Sequence, residues 1–467
     1  VAEAADTDRG TTHAKVPLGF DEATLEAITQ AFDADNADAL RTLLAGHHYA
    51  DIADLLESLS ADRRVTLVRA LGDAFDPDIL IELDETVRDE VLEALGPRRV
   101  AEAVAELESD DAVEVLRDLD ADDQRAVLDA MPVFERTLVQ QGLTYPEDSA
   151  GRLMQREAVT VPQTWTVGQT IDFLRQSADE EENLLPELFY EIYVVDPRHH
   201  PVGRIGLSRL LRTRRPVPVT DILDADMRVI DVAMDQETVA FLFRQRDLVS
   251  APVIDAGGRL VGVITIDDVV DVIDEEAEED IMLLGGVGER DLFSAVLETT
   301  RHRAWWLAVN LVTAVIASLV IGIFQGTIER AVALAVLMPI VASMGGNAGT
   351  QTLTVAVRGL ATREITPANA LRVVKKEVIV GTINGVLFAI VTGAVAWLWF
   401  GQPMLGLVLG LAMVANLIVA AAAGAAIPLT LNRLGYDPAL ASGVFLTTVT
   451  DVVGFFAFLG LAAWILL

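Results

Sequence analysis

The 467-residue chain contains no cysteine, which excludes disulfides, thiolate metal sites and cysteine nucleophiles together. Lysine is almost missing, with Lys15, Lys375 and Lys376 the only three, and none follows the glycine pattern GxxxxGK[ST]. A P-loop ATPase pump is excluded by that motif. The six histidines include the pairs His47-His48 and His199-His200, but none has the spacing of a metal site. Positive charge is scarce overall: 35 Lys and Arg stand against 70 Asp and Glu, a net of −35. Phosphate binding needs clustered Lys and Arg, so nucleic acid is not an expected partner. Val1–Phe20 has no apolar core segment, so no secretory signal is expected and the soluble part of the chain is expected to stay in the cytosol. No catalytic constellation emerges, and the chain is read as a non-enzyme.

What is present falls into two halves that meet near Arg303. Seven of the basic and five of the acidic residues lie from Ala304 onward, which leaves 28 basic against 65 acidic before it, a net of −37. An acidic soluble half therefore precedes a membrane half. Its lysine-poor acidity resembles halophilic proteins, whose acidic surface stays hydrated in concentrated salt. The order expected along the chain is a disordered tail over 1–20, a helical N-domain over 21–145, an α/β pair over 146–275, a connecting helix over 276–303, and five membrane spans over 304–467.

Residues 21–145 carry Leu, Val and Ala at spacings of three and four, broken by acidic turns. Ala50–Leu71, Ile79–Leu95 and Val100–Leu119 each give helix, acidic turn, helix, the pattern of stacked helix pairs that form a superhelical array. Residues 147–275 contain a duplication: Val202–Leu211 matches Val261–Val270 at an offset of 59, and Asp196 matches Asp255 at the same offset. Each half reads strand, turn, strand, helix, with strands at Tyr193–Asp196 and Gly203–Leu207, then Pro252–Asp255 and Gly262–Ile266. This duplication resembles a pair of cystathionine-β-synthase-type (CBS) motifs, small α/β modules that pair face to face. In such modules a Thr or Ser followed three residues later by Asp often holds an adenosine ribose, which implies Thr265 and Asp268 for ATP or another adenine nucleotide. The first half has Leu207-Ser208-Arg209-Leu210 and lacks the acid.

Asp267–Asp280 holds nine acids and no base, with apolar residues at helical positions Val269, Val270, Val272 and Ile273. Like charges at i and i+4 repel by about 0.2–0.5 kcal/mol per pair. Two readings are open, a solvated acidic face or a sensor in which carboxylate oxygens bind Mg²⁺ or Ca²⁺. An amphipathic segment, Ile281–Thr300, follows and leads into the membrane half.

The five apolar runs are Ala304–Phe324, Ala331–Val357, Val378–Phe400, Met404–Leu431 and Pro438–Leu467, each long enough to span a bilayer. Basic residues at Arg301 and Arg303, at Arg358, Arg363, Arg372, Lys375 and Lys376, and at Arg433 fall in alternate loops, and the other two loops share only Arg330. The positive-inside rule then predicts a cytosolic N-terminal half and an outside C-terminus. Trp305, Trp306, Trp397 and Trp399 sit at span ends, as interfacial belts do. In the last run Asp451 is the one charged residue, at a depth of about 20 Å. Burial there costs an isolated carboxylate about 3 kcal/mol, so such an acid usually faces a watery path or a partner. Asp437 lies 14 residues earlier, which on a continuous helix places both acids on one face about 21 Å apart. Asn310, Asn347, Asn384 and Asn416 are further polar candidates, and Thr447 lies one turn before Asp451. In Pro339–Thr352, close packing at Gly345 and Gly349 stands beside a second reading, a loosened backbone that with Asn347 faces a hydrated ion. Five spans with polar residues in several suggest a pore completed by a second copy.

Four stretches, Tyr145–Gly151, Asp267–Asp280, Met344–Gln351 and Thr447–Gly454, make the chain from about Ala50 to Leu467 resemble the MgtE family of magnesium transporters and channels. The resemblance implies a plasma-membrane homodimer whose ion path is lined by the second and fifth spans of both subunits. It implies Asp451 as the central ion-binding acid, Asp437 as the acid at the cytosolic end, and Mg²⁺ as both substrate and regulator. It implies sensor acids at Asp235, Glu237, Asp247, Asp268, Asp271, Glu276, Glu279 and Asp280, and near Asp110 and Asp111 in the helical array. Gln325 departs from the family, whose members often carry Glu after Phe at that place. Two other functions stay open beside it: a membrane-anchored regulatory module with no transport of its own, and a divalent-cation transporter coupled to Na⁺ or H⁺.

Overall fold

The computed structural model describes residues 19–117, 119–178, 185–186, 188–287, 296–440 and 442–466. The expected tail up to residue 18, and positions 288–295 of the connecting segment, lie outside the described residues. The chain forms two compact units, Val1–Ile273 and Asp274–Leu467.

The first unit opens with short helices, among them Tyr49–Ser58, Ala61–Leu71, Glu85–Leu95, Pro97–Val104, Ser109–Arg117 and Ala121–Ala130. Asp and Asn start several of them: Asp21, Asn36, Asp84 and Asp120 accept from backbone N–H groups two or three residues on, each cap contributing about 1 kcal/mol. The weak repeat becomes a physical one at two buried arginines, 24 residues apart. Arg64 donates to the carbonyls of Leu56 and Leu59 and pairs with Glu90. Arg88 donates to the Leu83 carbonyl and pairs with Glu114 at 2.8 Å. Each guanidinium satisfies carbonyls left open at a helix end and reaches an acid 26 residues ahead, which ties one helix pair to the next. In the following repeat the corresponding position is Ala112, and the turn before it carries Glu108, Asp110 and Asp111.

The duplicated segment forms two three-stranded sheets: β1 (Thr160–Pro162), β2 (Glu191–Val195) and β3 (Pro201–Gly206), then β4 (Ile230–Asp231), β5 (Ser250–Ile254) and β6 (Leu260–Thr265). In each, the first strand pairs parallel with the second and the second antiparallel with the third. The offset of 59 is kept to the level of single residues. A bulge falls between Val194 and Val195 and again between Val253 and Ile254. Asp196 and Asp255 each accept two backbone N–H bonds across the turn that follows. The strands begin two residues before the positions expected from the sequence. Tyr193, Val195, Leu260 and Val263 form a buried cluster joining the two halves.

The helix Ile266–Gly285 contains the whole acid run. It ends at the Gly285-Gly286 pair, where Gly286 has φ +68°, so the connecting segment is not one helix through to Thr300. The membrane unit holds five long apolar helices: Thr299–Ile323, Ala333–Ala361, Ala370–Phe400, Pro403–Leu434 and Ser442–Ile465. The fourth packs against the second, third and fifth, and the first packs on the fifth. Large apolar side chains of the first and third spans, such as Leu307, Leu311, Ile383 and Ile390, face outward. Lipid or a second chain suits such a surface.

Candidate functional site

Two groups of acids come forward, one in each unit. In the first unit the turn Glu108–Asp111 is pinned to the α/β pair by three hydrogen bonds. Ser109 Oγ donates to Glu157 at 2.8 Å, the Arg156 N–H donates to Ser109 Oγ at 2.8 Å, and Gln155 Nε2 donates to Glu108 at 2.8 Å. These contacts bring Glu108, Asp110 and Asp111 into the field of Asp268. Burial, with Asp268 as the leading charge, raises Glu108 to about 7 and Asp111 to about 8, and drives Asp110 well above the ordinary carboxyl range. Asp268 itself is pushed to about 7 by burial, against the hydrogen bonds it accepts from Thr265. Asp110 is buried and its Oδ2 has no hydrogen-bond partner among the described residues. A buried, orphaned carboxylate oxygen among other acids fits a divalent cation. Among the described residues no three His, Asp or Glu converge at direct-ligand geometry.

The cluster makes a pH-dependent prediction. Carboxyls held at about 7 to 8 in the fold but near 4 when unfolded keep their protons longer in the folded state. The contribution of this cluster to folding stability without a divalent cation is therefore most favourable at low pH and falls as pH rises from about 4 to about 8. Limited proteolysis of the full chain should show Mg²⁺ protecting the first unit strongly at about pH 8.5 and little at about pH 5.5. Equal protection at both would count against a cation in this cluster.

The structure brings together Asp110, Asp111 and Asp268, which the sequence analysis names, with Glu108 and Glu157, which it does not, single acids in a chain full of them. The available signal was the broken repeat, acids gathering where Arg64 and Arg88 have no counterpart. Asp235 and Asp247 sit at opposite ends of helix Gln236–Arg246. Asp235 caps it by accepting from the Thr238 N–H, Glu237 lies in its first turn, and Asp247 follows it with φ +51°. None of these three is among the main charges acting on the cluster. Asp271 is one of the charges raising Asp268, and Glu276 and Glu279 are half-buried farther along the same helix. The Thr265 hydroxyl and N–H both donate to Asp268, at 2.7 and 3.2 Å. The two residues singled out for a nucleotide thus hold each other.

In the membrane unit Asp451 is the tenth of 24 residues in the fifth helix, about 14 Å from its start. Its side chain is half-buried, and no group among the described residues donates to it. Asp437 does not share its helical face. The fifth helix begins at Ser442, and Asp437 lies in the preceding turn, where its carboxylate accepts from the Ala439 N–H at 2.6 Å. The pair Asp437-Pro438 breaks the register that a helix running from Pro438 implies, since such a turn is favoured by both residues. Asp437 instead faces Asp280, whose carboxyl is raised by burial and by that charge. Just beyond Asp280, Leu283 and Leu284 pack with Leu353, Val357, Ala439 and Leu446 at the ends of the second and fifth spans. A cavity of about 400 Å³ opens beside them, lined in part by Trp306, Asn310, Thr350, Thr354 and Thr447.

Thr447 returns its hydroxyl to the Gly443 and Val444 carbonyls, and exposed Asn347 donates to Ser343 Oγ at 3.4 Å. The second helix is continuous from Ala333 to Ala361; Pro339 frees only the Ala335 carbonyl, one turn before it, and no break falls within Pro339–Thr352. Gly345 and Gly349 serve close packing instead, meeting Asn416 and Leu446.

Three family models match the chain: "Divalent cation transporter" over residues 338–461, "MgtE intracellular N domain" over 47–148, and "CBS domain" over 219–275. A magnesium transporter MgtE of Thermus thermophilus is 32% identical over 454 residues, 96% of this chain and 99% of that protein. Its counterpart from Bacillus subtilis is 29% identical over 446 residues, 95% and 98% of the two chains. A crystal structure of the cytosolic domain of the Mg²⁺ channel MgtE in complex with ATP is 32% identical, covering 53% of this chain and 99% of that one with a TM-score of 0.49. With its helical N-domain, its CBS pair and its five apolar helices, the chain belongs to the MgtE family of magnesium transporters.

Proposed function

We propose that this protein forms a homodimeric, Mg²⁺-selective path across the plasma membrane, with its N-terminal domains in the cytosol and its C-terminus outside. The observation that carries this is Asp451, an acid deep in a membrane helix with no donor among the described residues. A two-fold axis beside the fifth span would set two such carboxylates across a hydrated ion, which suits Mg²⁺ because it sheds water reluctantly. Asn347 and Thr447 are assigned to the same path and Asp437 to its cytosolic mouth. This reading goes beyond a silent regulatory module, for which an unpartnered acid at that depth has no use.

Gating is assigned to helix Ile266–Gly285. Its first turn carries Asp268, with Asp110, Asp111 and Glu108 around it, and its last turns carry Asp280 and the leucines packed at the span ends. At high cytosolic Mg²⁺ the ion neutralises both acid groups and the helix end stays seated, closing the path. At low Mg²⁺ the carboxylates repel, and Asp280 is driven from Asp437. Asp235, Glu237, Asp247, Asp271, Glu276 and Glu279 supply further carboxylates for bridging ions. Asp268 is assigned to the cation rather than to a nucleotide ribose, because Thr265 already donates twice to it and it is the leading charge on Asp110 and Asp111.

The test is uptake into liposomes holding the purified protein and a Mg²⁺-sensitive dye. The expected result is saturable uptake at low Mg²⁺ on the cytosolic face, suppressed as that concentration rises. Absence of uptake at low cytosolic Mg²⁺ would reject the transport path, and uptake indifferent to that concentration would reject the gate.

A further inference from the structure

Asn416 is the fourteenth of 32 residues in the fourth span and is fully buried, at 0% exposure. Its Nδ2 donates to the carbonyl of Val341 in the second span at 2.9 Å. In a continuous helix that carbonyl also accepts from the N–H of Gly345, so the amide shares an acceptor within the second span. Asn416 Oδ1 is buried without a partner among the described residues. Two glycines from different spans close on this amide. A Cβ at Gly454 of the fifth span would lie 2.8 Å from Nδ2, and one at Gly345 would lie 2.9 Å from Cγ. Both positions are thus closed to a Cβ while the amide keeps its hydrogen bond to Val341.

We infer that Asn416 is a positioning residue for the transport path, a polar wedge whose amide sets the spacing between the second span at Gly345 and the fifth span at Gly454. Gly454 lies one helical turn beyond Asp451, so the wedge fixes the turn that presents that carboxylate. Gly345 lies two residues before Asn347, nearly opposite it around the helix, so the same contact turns Asn347 outward, where it is exposed. Threonine has almost the same volume, returns its hydroxyl to its own helix and would leave no orphaned oxygen. An amide here therefore serves direction as well as filling: it bonds one particular carbonyl and admits only glycine on either side. The inference rests on the reading of Asp451 as part of the path.

The test is a size exchange in the full-length protein in liposomes. Gly454→Ala is expected to lower Mg²⁺ uptake at least about tenfold by overpacking the amide. Asn416→Ala in the same chain removes the obstacle, and the double variant should return to the level of Asn416→Ala alone. If Gly454→Ala fails to elute in detergent like the native protein, recovery of that elution in the double variant is the same result read in assembly. A double variant as poor as Gly454→Ala overturns the wedge. Asn416→Thr, which keeps volume, returns its hydroxyl to its own helix and loses the bond to Val341, should elute normally and raise the half-saturating Mg²⁺ about fivefold. An unchanged half-saturation overturns the positioning role and leaves packing alone. Asp451→Ala in the same vesicles separates the two claims: flux lost there while the exchange fails removes only the wedge, and flux kept there removes the reading beneath it.

Discussion

Asp451→Ala is expected to abolish Mg²⁺ uptake, lowering the rate at low cytosolic Mg²⁺ by at least about a hundredfold. The estimate follows from charge. A divalent ion at mid-membrane loses favourable surroundings on a scale of several kcal/mol, and each carboxylate removed takes away stabilisation of about 3 kcal/mol, roughly two factors of ten. In a two-fold assembly the substitution removes both acids at once. Asp451→Asn keeps the shape and a hydrogen-bonding oxygen, so a hydrated ion can still be met through its water. It should conduct at a rate between the two, with a raised half-saturating concentration. Dye-reported uptake over a series of external Mg²⁺ concentrations distinguishes these cases. Native rates in Asp451→Ala would make this residue a structural acid and return the membrane-anchored regulatory module as the better reading.

The second large effect is on regulation. Replacing Asp110, Asp111 and Asp268 together by Asn keeps the side-chain shapes and removes three charges. The ratio of uptake at low and at high cytosolic Mg²⁺ should collapse toward one, with the half-inhibitory concentration raised at least about tenfold. A switch from 1:99 to 99:1 needs about 5.5 kcal/mol of differential binding. One pKa unit corresponds to about 1.4 kcal/mol, so Asp268 and Asp111, raised to about 7 and about 8, reach that scale acting together, whereas a single exposed acid does not. The same variant separates binding from repulsion. If repulsion opens the path, removing it leaves the first unit as resistant to protease without Mg²⁺ as the native chain is with it. Inhibition at the native Mg²⁺ concentration would show that the gate does not read this cluster. Glu276→Gln, Glu279→Gln and Asp280→Asn together should weaken inhibition as well, through the lower half of the same helix.

Much of this architecture is legible in the residues. Five long apolar runs, an acidic helical array and a duplication at an offset of 59 specify the order of parts, because periodicity and hydropathy are local properties. The duplication even carries its bulges and its turn-capping aspartates with it. The functional acids are harder to read. Asp437 was expected on a helix that in fact starts at Ser442, because helix boundaries depend on a single turn that the apolar pattern does not report. Four intramembrane asparagines look alike in sequence, yet Asn416 is a buried wedge, Asn310 returns its amide to the Trp306 carbonyl, and Asn347 faces outward. Glu108 gave no local sign of importance, since its raised pKa comes from burial and from Asp268, 160 residues away in the chain.

By itself the sequence determined which segments are long and apolar enough to cross a membrane, which are acidic and polar, and that Asp451 stands inside an apolar run, since composition and period decide those matters within a few turns. Only the tertiary structure decided which carboxylates share a field. The energy of a charge depends on burial and on neighbours a few ångströms away, and hydrogen bonds such as Ser109 to Glu157 and Gln155 to Glu108, spanning nearly fifty residues, make those neighbours.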